Sequence, residues 1–142
     1  MILKKENIQL NATAATREEA ITGAGDVLVR EGYVTESYIE KMHAREEITS
    51  TYMGNLLAIP HGTEDSRDEV QQSGLSVLLL KDPIDWDGNK AQLVIGIAGK
   101  DGEHLDILSK IAIACSEEEN VHRLLQSETA EDVLEFFSQV NE

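Results

Sequence analysis

The stretch Leu75-Ser76-Val77-Leu78-Leu79-Leu80 constrains this chain more than any other, because its aliphatic residues fall on both odd and even positions. Successive side chains of a strand point to opposite faces. A sheet with one wet face cannot hold such a run, so both faces must be covered. Ala91 to Ala98 has the same character, and Leu56 to Ile59 is a shorter buried run that stops at Pro60, which has no N–H to give to a ladder. Pro83 is expected to break the first run, with Ile84-Asp85-Trp86 adding a short strand before a turn at Asp87-Gly88-Asn89. Gly96 marks close packing or a bulge, and Ile8 with Leu10 suggests a short edge strand.

Helices to cover the two faces lie on either side of these runs. Thr16-Arg17-Glu18-Glu19 has the form of a capping box, and Ala20, Ile21, Ala24, Val27 and Leu28 follow at helical spacing to about Arg30, before Gly32. Thr35 is expected to open a second helix, with Val34 and Ile39 as a hydrophobic staple and Tyr38, Ile39 and Met42 facing the core, ending near Glu46 or Glu47. A third begins near Glu103, its packed side read as Leu105, Leu108, Ile111, Ala112 and Cys115. Ser116-Glu117-Glu118-Glu119 reads as a capping box for a fourth, and Thr129 as the cap of a last helix whose Val133, Leu134, Phe137 and Val140 close the core. Two helices, strands and then three helices give an α/β fold, a mixed β-sheet flanked by helices on both faces, expected as one domain over residues 1–142.

Net charge is −15, from 27 acidic and 12 basic residues, which argues against nucleic acid as a partner. The acidic surface serves solubility or steers a basic protein partner. The single cysteine, Cys115, rules out an internal disulfide and reads as a buried structural thiol. Four histidines without a His-x-x-x-His or Cys/His cluster give no metal centre, and no Gly-rich phosphate loop or Ser-His-Asp elbow is present, so neither metal nor cofactor is expected. The N-terminus lacks the apolar segment of a signal peptide, and no apolar stretch approaches the ~20 residues of a membrane span. A cytoplasmic location is the expectation.

The chemistry concentrates at Pro60-His61-Gly62-Thr63. Proline and glycine restrict and expose the His61 ring at once, and an unperturbed pKa of ~6.5 makes histidine a neutral nucleophile near pH 7. Its second ring nitrogen carries a proton, for which a backbone carbonyl in the tight loop is the expected acceptor. Gly62 is expected to turn the chain sharply and to leave its amide open to an anion. His104, in the first turn of its helix, lies just past a buried strand as His61 does. Packing or capping would also explain it. Arg45, in a last helical turn, either complements the helix dipole or binds an anion. His43 and His122 read as solvated.

Three segments carry a resemblance. Ile48 to Thr63 (Ile-Thr-Ser-Thr-Tyr-Met-Gly-Asn-Leu-Leu-Ala-Ile-Pro-His-Gly-Thr) resembles the phosphorylation-site signature of the mannitol/fructose class of enzyme IIA in the bacterial sugar phosphotransferase system. Gly102-Glu103-His104-Leu105-Asp106-Ile107-Leu108 resembles that class's second histidine motif, and His43-Ala44-Arg45-Glu46 the helix end carrying its phosphate-binding arginine. The resemblance implies that a phosphoryl group arrives from a phosphohistidine of HPr, sits on Nε2 of His61 and leaves for a cysteine of enzyme IIB. Arg45 and His104 are then the groups that hold its oxygens, with no metal. Residues around the motifs look more like the mannitol branch than the fructose branch, and a nitrogen-related regulatory enzyme IIA, which binds proteins according to its phosphorylation state, is the alternative from another class. Whether Asn55 touches phosphate stays open at this point.

Overall fold

The computed structural model describes residues 2–138. Val140, expected in the core, lies outside them. Strands β1 (Ile8–Ala12), β2 (Tyr52–Gly54), β3 (Leu57–Ala58), β4 (Gly74–Trp86) and β5 (Asn89–Ala98) form one mixed sheet in the order β1-β4-β5-β3-β2. β1 runs parallel to β4 and β3 parallel to β5, while β4–β5 and β2–β3 are antiparallel. Helices are α1 (Arg17–Arg30), α2 (Ser37–Ile48), α3 (His104–Ala114), α4 (Glu118–Leu125) and α5 (Ala130–Phe136).

The continuous aliphatic runs divide by parity, as two-sided strands must. Leu78, Leu80, Val94 and Ala98 pack under α1 and α2 with Ala24, Leu28 and Met42. Leu75, Val77, Leu79, Leu93, Ile95 and Ile97 face the opposite way, against Ile107, Ile111, Val121, Leu124, Val133 and Phe137 of the C-terminal helices and the turn after α5. At ~1.5–3 kcal/mol for each large side chain fully buried, these two layers are the main stabilising term. Gly96 serves close packing: a Cβ there would stand 3.0 Å from Ala24 Cβ and closer still to the Ser76 hydroxyl.

Several local expectations are corrected. Pro83 does not end β4; the strand continues to Trp86 through a register shift between Leu79 and Ile84, where a residue without an N–H costs no ladder bond. The apolar run before Pro60 yields only the short β3, because Asn55 and Leu56 have φ of 52° and 69° and form the tip of a β2–β3 hairpin. Thr35 does not cap α2: its hydroxyl donates to Glu69, and the helix begins at Ser37. Ser116 does not cap α4 either, since its hydroxyl donates to the Ile113 carbonyl, finishing α3 instead. The caps at Thr16 and Thr129 form as read, each accepting a backbone N–H three residues on, at 3.1 and 3.2 Å.

Candidate active site

The topology brings the two histidines to one sheet edge. β3 and β5 are parallel, so their C-terminal ends point the same way; His61 follows β3 and bridges to Ile97, while β5 ends at Ala98 and the chain turns through 99–103 into His104. Arg45 comes from the last turn of α2. His61, His104 and Arg45 line one open cleft of about 900 Å³, together with Tyr38, Arg67 and Lys100. Arg45, Arg67 and Lys100 outnumber the carboxylates of the lining, Glu64 and Asp101, so on a chain of net charge −15 the cleft is a local exception suited to an anion.

His61 is half-buried, and its Nδ1 lies 2.9 Å from the Ile59 carbonyl oxygen. A carbonyl only accepts, so Nδ1 carries the proton and Nε2 keeps its lone pair. Burial is the main force pushing the ring's pKa below its ordinary 6.5, partly offset by the Ile59 carbonyl, with the charges of Arg45 and His104 pushing the same way as burial and that of Glu46 opposing them. The ring is therefore neutral at pH 7, as a nitrogen nucleophile must be.

Behind the ring stand two groups that sequence reasoning missed. The Tyr38 hydroxyl accepts the Gly62 amide at 2.8 Å and donates to the Ile97 carbonyl at 2.7 Å. The Gly62 amide is thus committed rather than open, and φ at Gly62 is not positive. Glycine is required there because a Cβ would stand 2.5 Å from Tyr38 Cε1 and 2.6 Å from Ser66 Oγ. The second group is Glu46, 3% exposed, whose carboxylate accepts from Thr51 N (2.7 Å), Thr51 Oγ1 (2.6 Å) and Trp86 Nε1 (3.0 Å). Thr51 in turn accepts the Ile59 amide at 3.1 Å, so the buried acid anchors the segment that offers His61 its carbonyl. The only sequence signal for Tyr38 was its place on the core face of α2; for Glu46 it was a charged residue at a position the helix must bury.

Arg45 donates to the Thr49 carbonyl at 2.8 Å, closing the C-terminus of α2, and also lines the cleft. His104 begins α3, whose N-terminus has no side-chain cap. The buried stripe of α3 is Ile107, Ile111 and Cys115; Leu105, expected inside, is 64% exposed and lines the cleft with Met53, 47% exposed. Asn55 does not reach the cleft: its amide donates to the carbonyls of Cys115 and Ser116 at 3.1 and 3.2 Å, docking the hairpin tip on the end of α3. Cys115 is buried and its thiol is pushed up to about 12, which makes it inert. His122 is exposed beside Glu118, as expected, whereas His43 is half-buried and shares a 2.9 Å hydrogen bond with Thr22. Among the described residues no group of His, Cys, Asp and Glu side chains is arranged to hold a metal, and no helix is long and apolar enough to cross a membrane.

A neutral imidazole with one free nitrogen, opening at a sheet edge into a cleft where cations outnumber carboxylates, is the arrangement of a protein that handles an anionic group. The chain belongs to the family described as Phosphoenolpyruvate-dependent sugar phosphotransferase system, EIIA 2, whose model matches residues 1–140. It is 59% identical over 141 residues to a mannitol-specific phosphotransferase enzyme IIA component of Halalkalibacterium halodurans, covering 99% of this chain and 97% of that one. A protein of the same name from Bacillus subtilis is 54% identical over 141 residues, covering 99% of each. Among solved structures, the mannitol enzyme IIA of Escherichia coli in complex with phosphorylated enzyme IIB matches with a TM-score of 0.90 at 36% identity, over 96% of this chain and 99% of that one.

Proposed function

We propose that this protein carries the phosphoryl group of a mannitol phosphotransferase system on Nε2 of His61, taking it from phospho-HPr and passing it to a cysteine of enzyme IIB. The observation that carries the reading is the Nδ1–H bond to the Ile59 carbonyl, which leaves Nε2 as the nitrogen free to attack. In the first step the Nε2 lone pair forms the new N–P bond while the bond from phosphorus to the HPr histidine breaks, its electron pair staying with the donor. In the second a cysteine thiolate of enzyme IIB attacks phosphorus and the Nε2–P bond breaks, restoring the lone pair. Such transfer passes through a loosely bonded, in-line phosphoryl group, so the protein contributes mainly position and charge. Arg45 and His104 hold the equatorial oxygens, each hydrogen bond to the ionised group worth ~1.5–3 kcal/mol. That is enough to speed transfer without trapping the group. Mannitol follows from the names that the relatives at 54% and 59% identity carry.

Incubation with enzyme I, HPr and phosphoenolpyruvate, read by intact mass, tests this directly. One acid-labile phosphoryl group is expected on the wild type and on His104→Ala, and none on His61→Ala. A phosphoryl group on His61→Ala, or none on the wild type with active donors, overturns it. Faster transfer to a mannitol enzyme IIB than to a fructose one checks the sugar branch.

A further inference from the structure

We propose that Tyr38 is a positioning residue for transfer at His61, its hydroxyl set between the Gly62 amide and the Ile97 carbonyl so as to fix the tilt of the histidine against β5. The inference rests on His61 being the phosphoryl acceptor. In a parallel ladder, the residue opposite Ile97 places its preceding carbonyl on the Ile97 N–H and its following N–H on the Ile97 carbonyl. The first of these bonds is direct, Ile97 N–H to the Pro60 carbonyl at 3.0 Å. The second is relayed: Gly62 N–H to the Tyr38 hydroxyl at 2.8 Å, and that hydroxyl to the Ile97 carbonyl at 2.7 Å.

A relay is longer than a direct bond by the width of a hydroxyl. The chain before His61 is therefore held against β5 while the chain after it is held away, and the residue between is turned toward the cleft. The rest of the site is built around this wedge. Tyr38 is 3% exposed, and its ring fills the space a Gly62 side chain would need. Burial pushes the phenol up to about 12, so the hydroxyl keeps the proton it must donate throughout the neutral range. On the other side the Ile59 carbonyl fixes the ring itself, 2.9 Å from Nδ1. Tyr38 sets the backbone, and Ile59 sets the imidazole.

The test uses the full chain with Tyr38→Phe, which keeps the buried ring and deletes the relay. Without it the Gly62 amide either closes onto Ile97 or loses its partner, and both outcomes move His61. At saturating phospho-HPr the transfer rate is expected to fall about tenfold with KM within about twofold, since a shift of ~1 Å at a reacting group costs rate far more than docking. In ¹⁵N spectra of the unphosphorylated protein, the single Nδ1–H tautomer of His61 should give way to a mixture. Site-specific 3-fluorotyrosine at position 38 keeps both hydrogen bonds and should restore the wild-type rate and spectrum. Val27→Ala, in the same apolar cluster but away from the loop, should lower Tm without changing either. Wild-type rate and tautomer in Tyr38→Phe, or an equal rate loss in Val27→Ala at equal Tm, overturns the proposal. If Tyr38→Phe does not fold, hydrogen exchange of the wild-type Gly62 amide decides: protection matching that of Ile97 supports the relay, and exchange at the open-chain rate defeats it. A wild type that accepts no phosphoryl group yet shows the single tautomer would sink the acceptor role alone.

Discussion

His61 and His104 leave neighbouring parallel strands at the same sheet edge and face one cleft, yet the fold holds them in opposite ways. His61 is fixed on every side: its ring by the Ile59 carbonyl, its preceding carbonyl by Ile97, its following amide by Tyr38. His104 is fixed only through its backbone, by the start of α3 and by the close approach of Gly99, where a Cβ would collide with the His104 backbone. No hydrogen bond to its ring is formed among the described residues. The difference suits the roles proposed for them: a nucleophile must present one nitrogen in one direction, whereas a group proposed to steady a phosphoryl oxygen has to follow the oxygen as it arrives and leaves.

The contrast is broken most severely through the two glycines. Gly62→Ala drives a methyl into the Tyr38 ring and Ser66, inside a packed layer that cannot yield, and should cost about 2–3 kcal/mol and at least about 100-fold in phosphoryl transfer. Gly99→Ala sets a methyl 2.3 Å from the His104 nitrogen and 2.5 Å from its Cα, backbone that cannot rotate aside, so about 2–3 kcal/mol is expected here too, but with a smaller loss of rate because the His61 loop is untouched. Thermal melts and single-turnover transfer measure both; equal losses of rate would refute the idea that only His61 sits in a rigid seat. Next in size, His104→Gln should slow transfer about 10- to 100-fold while leaving phosphorylation at His61 complete at long times, the loss of one hydrogen bond to an ionised group. Rapid-quench kinetics with phospho-HPr would show it.

Glu46→Gln probes the foundation under His61 rather than the site. Its three donors lose a charged acceptor, so stability should drop by about 2 kcal/mol, or roughly 4–8 °C in Tm for a chain of this size. The pH dependence is subtler. Because burial holds the folded His61 pKa below 6.5, the unfolded chain binds a proton first on acidification. Stability is therefore level in this group's contribution above 6.5 and falls as pH drops from there through the folded pKa, and transfer falls over the same window as Nε2 is protonated. NMR titration of the ring, with denaturant unfolding at matched pH, checks sign and window; a His61 midpoint above 6.5 would reverse both. Smallest of all, Asn55→Ala should cost about 1 kcal/mol with little change in transfer, since its amide serves the hairpin tip and α3 rather than the cleft.

Much of this was legible in one dimension. Runs aliphatic at both parities required a sheet covered twice, and Thr16 and Thr129 marked helix starts because a hydroxyl three residues before an N–H is a local matter. The His61 loop announced itself through Pro60 and Gly62, and the carbonyl acceptor for its proton lay only two residues away at Ile59. Thr35 failed where a distant partner replaced a near one, its hydroxyl turning to Glu69; Ser116 failed between two partners equally near, serving the Ile113 carbonyl of the helix behind it instead of the helix ahead. Leu105 kept its helical place but lies on the cleft side, while Ile107, Ile111 and Cys115 take the buried face.

The sequence by itself determined the layers, most helix ends, the candidate ring at His61 and the carbonyl that takes its proton, all of which rest on periodicity or on neighbours a few residues apart. Only the tertiary structure decided that Gly62 is glycine on account of Tyr38, that Glu46 is buried against Trp86, forty residues away, and that Arg45, His61 and His104 share one cleft. Those facts depend on which strands lie side by side and in which direction. Strand order follows from the packing of the whole chain at once, and no local stretch encodes it.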